Sequence, residues 1–124
     1  MRKITVLLVV ALLLLSSCGS VPLTGRNQLL LVSDSEVLAS SLTQYSDYMK
    51  SAPLSTNAKG KAMVTRVGRN IAAATEQYLK SAGLASEVKN FSWEFNLVKD
   101  NQVNAFCMPG GKIVVYEGLL KLCS

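Results

Sequence analysis

Between Phe91 and Leu97 the chain reads Phe-Ser-Trp-Glu-Phe-Asn-Leu, a strict alternation that puts three aromatic rings and a leucine on one side of an extended strand. Such a face has to be covered by another layer, since leaving a large apolar side chain in water forgoes about 1.5–3 kcal/mol. Downstream, Lys99-Asp100-Asn101 reads as a turn, Val103 to Met108 as a second strand, Pro109-Gly110-Gly111 as a tight turn, and Lys112 to Tyr116 as a third strand. Proline pre-sets its own φ near about −65°, and adjacent glycines accept the positive φ that other residues avoid, so the structural turn Pro109, Gly110, Gly111 stands on backbone chemistry alone.

The periodicity upstream is helical. Ser33-Asp34-Ser35-Glu36 fits a capping box, with Val32 and Val37 in the hydrophobic-staple positions. Val37, Leu38, Leu42, Tyr45 and Met49 then recur at helical spacing, which predicts a helix from Asp34 to Lys50 closed by Pro53. A second helix is predicted from Ala58 to Lys80, with Met63, Val64, Val67, Ile71, Ala74 and Tyr78 on its apolar face. Its charged residues Lys59, Arg66, Arg69, Glu76 and Lys80 read as an ordinary solvated surface. Gly68 costs about 1 kcal/mol relative to Ala inside a helix, which suggests that another backbone approaches closely there. The fold class expected is α+β: two amphipathic helices followed by a three-stranded antiparallel meander.

The beginning of the chain has its own logic. Met1-Arg2-Lys3 is basic, Ile4 to Leu15 is apolar but for Thr5, and Ser16-Ser17 precedes Cys18, the layout of a secretory leader. Twelve helical residues reach only about 18 Å across a hydrocarbon core about 30 Å thick, so a spanning helix is not expected. Leu15-Ser16-Ser17-Cys18 resembles a bacterial lipobox, in which the Cys18 sulfur takes a diacylglycerol and the new amino terminus is acylated. Several acyl chains on one residue give durable anchoring. Gly19 in place of an aspartate after the lipidated cysteine points to the outer membrane, facing the periplasm. The expected organisation is a signal peptide at 1–17, a lipidated tether at 18–32 and a single folded part at 33–124.

Loss of the leader removes Arg2 and Lys3 and lowers the formal charge from +5 to +3. With no basic cluster interleaved with aromatics, nucleic-acid binding is not supported. Apart from Cys18, the cysteines are Cys107 and Cys123, whose pairing is chemically open in an oxidising envelope. Two free thiols are the favoured reading, with Cys107 packed as a small hydrophobe. The chain contains no histidine, so no serine or cysteine nucleophile has a histidine base.

Asn104-Ala105-Phe106, two variable positions, Pro109-Gly110-Gly111, Ile113 and then Gly118-Leu119-Leu120 closely resemble the HtpX-like and Oma-like zinc metallopeptidases, family M48. The lipobox, the stretch from Gly19 to Val37 and the "RVGRNIA" helix resemble the lipoprotein branch of that family. The resemblance implies an incomplete zincin-type peptidase domain in which a sheet holds substrate extended, with Asn104, Ala105 and Phe106 as possible substrate-strand contacts. It also implies a zinc cofactor in the complete form, held by the two histidines of an H-E-x-x-H helix whose glutamate is the general base. That motif is absent from this sequence, so no catalytic or metal-binding residue carries over. Glu117 to Cys123 reads as the start of an apolar helix. The expectation is therefore the N-terminal portion of an envelope-anchored metalloendopeptidase, inactive as this chain and poorly folded alone, with H-E-x-x-H encoded beyond codon 124. The alternatives are a small lipoprotein binding extended polypeptide at a sheet edge without cutting it, and a purely structural lipoprotein.

Overall fold

A computed structural model describes residues 6, 18–21, 24–29 and 31–123, which fall into two units, 1–36 and 37–124. The proposed leader, apart from Val6, and the Cys18 side chain lie outside the described residues. In the first unit, β1 (Cys18–Ser20) pairs antiparallel with β2 (Asn27–Leu29), Cys18 opposite Leu29. The expected tether therefore contains a short hairpin, closed by Gly25 N–H donating to Val21 O and Val21 N–H to Arg26 O, both at 2.8 Å. A backbone ladder forms here without any apolar period to announce it. The capping box is present: Glu36 N–H donates to Ser33 Oγ at 3.3 Å, and Ser33 N–H donates back to Glu36 Oε2 at 3.1 Å.

From that cap runs α1 (Asp34–Ser51). The second helix, α2 (Ala58–Ser81), starts at Asn57, whose Oδ1 accepts from Gly60 N–H at 2.9 Å. A single turn, α3 (Ala85–Val88), which periodicity does not reveal, leads to β3 (Glu94–Val98), β4 (Ala105–Met108), β5 (Lys112–Tyr116) and α4 (Glu117–Cys123). No helix among the described residues is long and apolar enough to cross a membrane.

The architecture is mixed helix and sheet, but the sheet is not the expected meander. Its order is β3-β5-β4, with β3 parallel to β5 and β4 antiparallel to β5. Lys99-Asp100-Asn101 does not close a hairpin; Asp100 Oδ1 accepts from Gln102 N–H at 2.9 Å, and β5 inserts between the two earlier strands. The central place goes to the strand with a continuous Ile113-Val114-Val115 run, in which Val114 is buried and Ile113 and Val115 are half-buried. The outer edge of β3 is occupied by the segment after α1, where Lys99 N–H donates to Pro53 O at 2.7 Å and Ser55 N–H to Leu97 O at 2.9 Å.

Each face of the sheet has its own helix. Toward α1, Tyr45, Val98 and Val114 form a buried core with Tyr48, Met49, Phe106, Met108 and Tyr116 packed around it. Toward α2, Phe91, Trp93 and Phe95 stack in series, with centroids 4.7 Å and 6.4 Å apart and planes within 14°. The strand itself begins only at Glu94, so Phe91 and Trp93 precede it.

The rotation of α2 also departs from expectation. Its buried residues are Gly60, Val64, Gly68, Ala72 and Leu79, whereas Val67, Ile71 and Tyr78 remain 48%, 55% and 54% exposed. The neighbour at Gly68 is the Phe95 ring and not a backbone: a Cβ there would overlap the ring carbons. The Phe95 ring leaves no room for a side chain at position 68, so steric fit turns Gly68 inward and favours a rotation that leaves Val67 and Ile71 outside.

Candidate functional site

The β4–β5 hairpin turns at Pro109-Gly110-Gly111 with φ of 90° at Gly110 and 80° at Gly111, a region open to glycine and strained for other residues. The turn is also tied to the approach to β3: Ser92 N–H donates to Gly110 O at 2.9 Å and Glu94 N–H to Gly111 O at 3.0 Å. Three segments meet there, so a side chain added at either glycine would disturb the sheet as well as the turn.

The register of β4 on β5 decides what its outer side offers. Tyr116 N–H donates to Asn104 O at 3.1 Å, and Ala105 lies opposite Val115 and Cys107 opposite Ile113. Ala105 and Cys107 are therefore the non-hydrogen-bonded positions of the pair, with their N–H and C=O groups pointing away from β5. Both residues are exposed, and among the described residues only β5 pairs with β4. Asn104 Oδ1 accepts from Ala105 N–H at 2.9 Å. Phe106 alternates inward, edge-on to Tyr48 at 5.4 Å and to Tyr116 at 6.2 Å. Of the three possible substrate-strand contacts, Asn104 and Ala105 thus stand on the open edge, while the Phe106 ring anchors that edge to the core.

Behind the hairpin sits a polar bracket that sequence reasoning missed. Lys112, 5% exposed, donates from Nζ to Glu94 Oε1 at 2.9 Å and to Ser92 O, and lies over the Tyr45 ring. The Tyr45 hydroxyl donates to Glu94 Oε2 at 2.7 Å and accepts from Asn96 Nδ2 at 2.6 Å. These bonds from Tyr45 and then Lys112 hold the Glu94 carboxyl below its ordinary range. Burial, aided by the Glu94 carboxylate, pushes the Tyr45 hydroxyl up to about 12. No spacing signals the cluster, because Glu94 meets Lys112 only through the parallel register of β3 and β5.

A second polar link joins the start of α4 to the segment before α2. Ser55, 3% exposed, donates from Oγ to Glu117 and accepts from Asn57 N–H at 3.0 Å. Cys107 and Cys123 are free and both exposed; Cys107, at the sheet edge, is not packed as a small hydrophobe, though partial burial pushes its thiol above the ordinary range. Among the described residues no three histidine, cysteine or acidic side chains come together as metal ligands, so these residues do not fit a zinc ion.

Residues 65–124, which contain β3, the open-edged hairpin and α4, match the sequence profile of peptidase family M48. In this segment the chain thus carries the sequence pattern of a family of zinc metallopeptidases. It is similar to the mitochondrial metalloendopeptidase OMA1 of Schizosaccharomyces pombe, 40% identical over 45 residues that cover 36% of this chain and 13% of that protein. OMA1 of Arabidopsis thaliana is 49% identical over 41 residues, covering 33% of this chain and 8% of that protein. The matched stretch thus spans only 13% and 8% of these relatives' lengths.

Proposed function

We propose that this chain is the N-terminal, substrate-holding portion of an envelope-anchored zinc metalloendopeptidase, and that by itself it binds extended polypeptide without hydrolysing it. The observation that carries the reading is the open β4 edge, where Ala105 and Cys107 direct backbone groups outward beside the Asn-Ala-Phe and Pro-Gly-Gly elements. An extended polypeptide satisfies such groups by adding a strand, and main-chain bonding of this kind suits a protease, whose substrates share a backbone and differ in side chains. In the complete family form, zinc supplies the activated water; the histidine-free chain has no histidine ligands to offer it. The lipobox-like Leu15-Ser16-Ser17-Cys18 supports a lipid anchor on Cys18, and Gly19 after it supports the outer membrane, facing the periplasm, as the location.

The same edge supports a second reading, a lipoprotein that captures extended polypeptide and never cuts it. One assay addresses both: the purified chain is mixed with fluorescein-labelled casein, with and without added zinc. Binding without release of acid-soluble fluorescence is the expected result. Stoichiometric zinc accompanied by chelator-sensitive cleavage would overturn the statement that this chain does not hydrolyse its ligand.

A further inference from the structure

Taking the β4 edge as the polypeptide site proposed above, we infer that the Asn104 side chain is a displaceable cap that determines where an added strand can pair and how tightly it is held. In chain order the outward groups are Ala105 N–H, Ala105 C=O, Cys107 N–H and Cys107 C=O, as the alternation around Ala105–Val115 and Cys107–Ile113 requires. The first donor is already used: Asn104 Oδ1 accepts from it at 2.9 Å. Cys107 N–H has no such competitor, since its side chain contact runs the other way, from Sγ toward Met108 O. An incoming strand therefore pairs at Cys107 at once and reaches Ala105 N–H only by exchanging one hydrogen bond for another. Asn104 is exposed, so its amide is free to swing outward when that exchange occurs.

The cap has a second consequence. An exposed strand edge is a template for pairing with any other edge, including that of a second copy, and such edges are blunted by occupying their donors or by charge. Occupying one of the two outward donors shortens the available ladder, which leaves the edge able to take a flexible strand reversibly.

The test uses the purified full chain and fluorescein-labelled casein as an extended probe. Asn104→Ala frees Ala105 N–H and is expected to tighten binding by about 2- to 10-fold, the equivalent of one net hydrogen bond. Asn104→Asp retains the acceptor and is expected to bind no tighter than the unsubstituted chain. Cys107→Pro removes the uncapped donor and is expected to lose binding, while its β5 ladder is spared because Cys107 N–H does not face β5. Should the proline variant fold poorly, iodoacetamide labelling of the unsubstituted chain serves instead: casein should slow alkylation of Cys107 and leave Cys123 as an internal reference, both thiols being free and exposed. If casein gives Cys107 no protection, the polypeptide-binding edge and its cap fall together. If Cys107 is protected but Asn104→Ala binds like Asn104→Asp, the edge stands and the cap is wrong.

Discussion

The Tyr45 hydroxyl donates to Glu94 Oε2 at 2.7 Å, so the first helix and the first strand of the central sheet are joined by a bond to a charged acceptor. The same hydroxyl accepts from Asn96 Nδ2 at 2.6 Å. Tyr45→Phe keeps the ring in the core and deletes both bonds. A loss of about 1–3 kcal/mol is expected, because a bond to an ionised group is removed and the Asn96 amide is left unpaired. Urea denaturation of the two proteins measures it, and an unchanged midpoint would show that the bracket is ornamental.

Glu94 also gives the fold an acid limb. Its carboxyl is held below the ordinary 4.5 by bonds from Tyr45 and then Lys112. A depressed folded pKa means that the stabilisation is present above the unfolded value and disappears as the pH falls through the folded one. Glu94→Gln should therefore be less stable near neutrality and lose less further stability between about pH 5 and 3 than the unsubstituted chain. Parallel denaturation series across that range would reveal the difference; identical slopes would remove Glu94 as the source.

Gly68 tests the fit of α2 on the aromatic row. Alanine is favoured over glycine in a helix by about 1 kcal/mol, yet a Cβ at this position would overlap the Phe95 ring. Overpacking a core costs about 1–3 kcal/mol, so Gly68→Ala is expected to destabilise in spite of its helix propensity, by about 1 kcal/mol net. Thermal unfolding checks the sign. A stabilised variant would mean that the helix sits farther from Phe95 than described.

Cys18 carries the anchoring proposal. Cys18→Ser should abolish acylation and processing at this position, since the serine oxygen does not replace the sulfur acceptor. Mass spectrometry of the mature amino terminus reads both events. An unmodified terminus at another residue would remove the lipid anchor.

Much of the local structure was legible in advance. Ser33 and Glu36 announced the start of α1, and the limits of α1 and α2 agree with expectation to within a residue at each end. The third strand, Lys112–Tyr116, has the bounds that its sequence predicts. Of the candidate site, Asn104 and Ala105 could be named from the sequence, but their position on an open edge could not. The bracket of Tyr45, Glu94, Asn96 and Lys112 left no trace at all, because tyrosine in an apolar period and lysine at a strand start look the same whether paired or solvated.

What the sequence determined by itself was whatever depends on neighbours along the chain: the capping box, the Pro109-Gly110-Gly111 turn, and the identity of each segment as helix or strand. These follow from bonds and φ preferences within a few residues. Only the tertiary structure decided the strand order β3-β5-β4 and the rotation of α2 that buries Gly68 and exposes Ile71. Both are choices among surfaces that are equally apolar in one dimension, and they are settled by shape: a valine-rich strand fills the centre of the sheet, and at position 68 only glycine fits against the Phe95 ring.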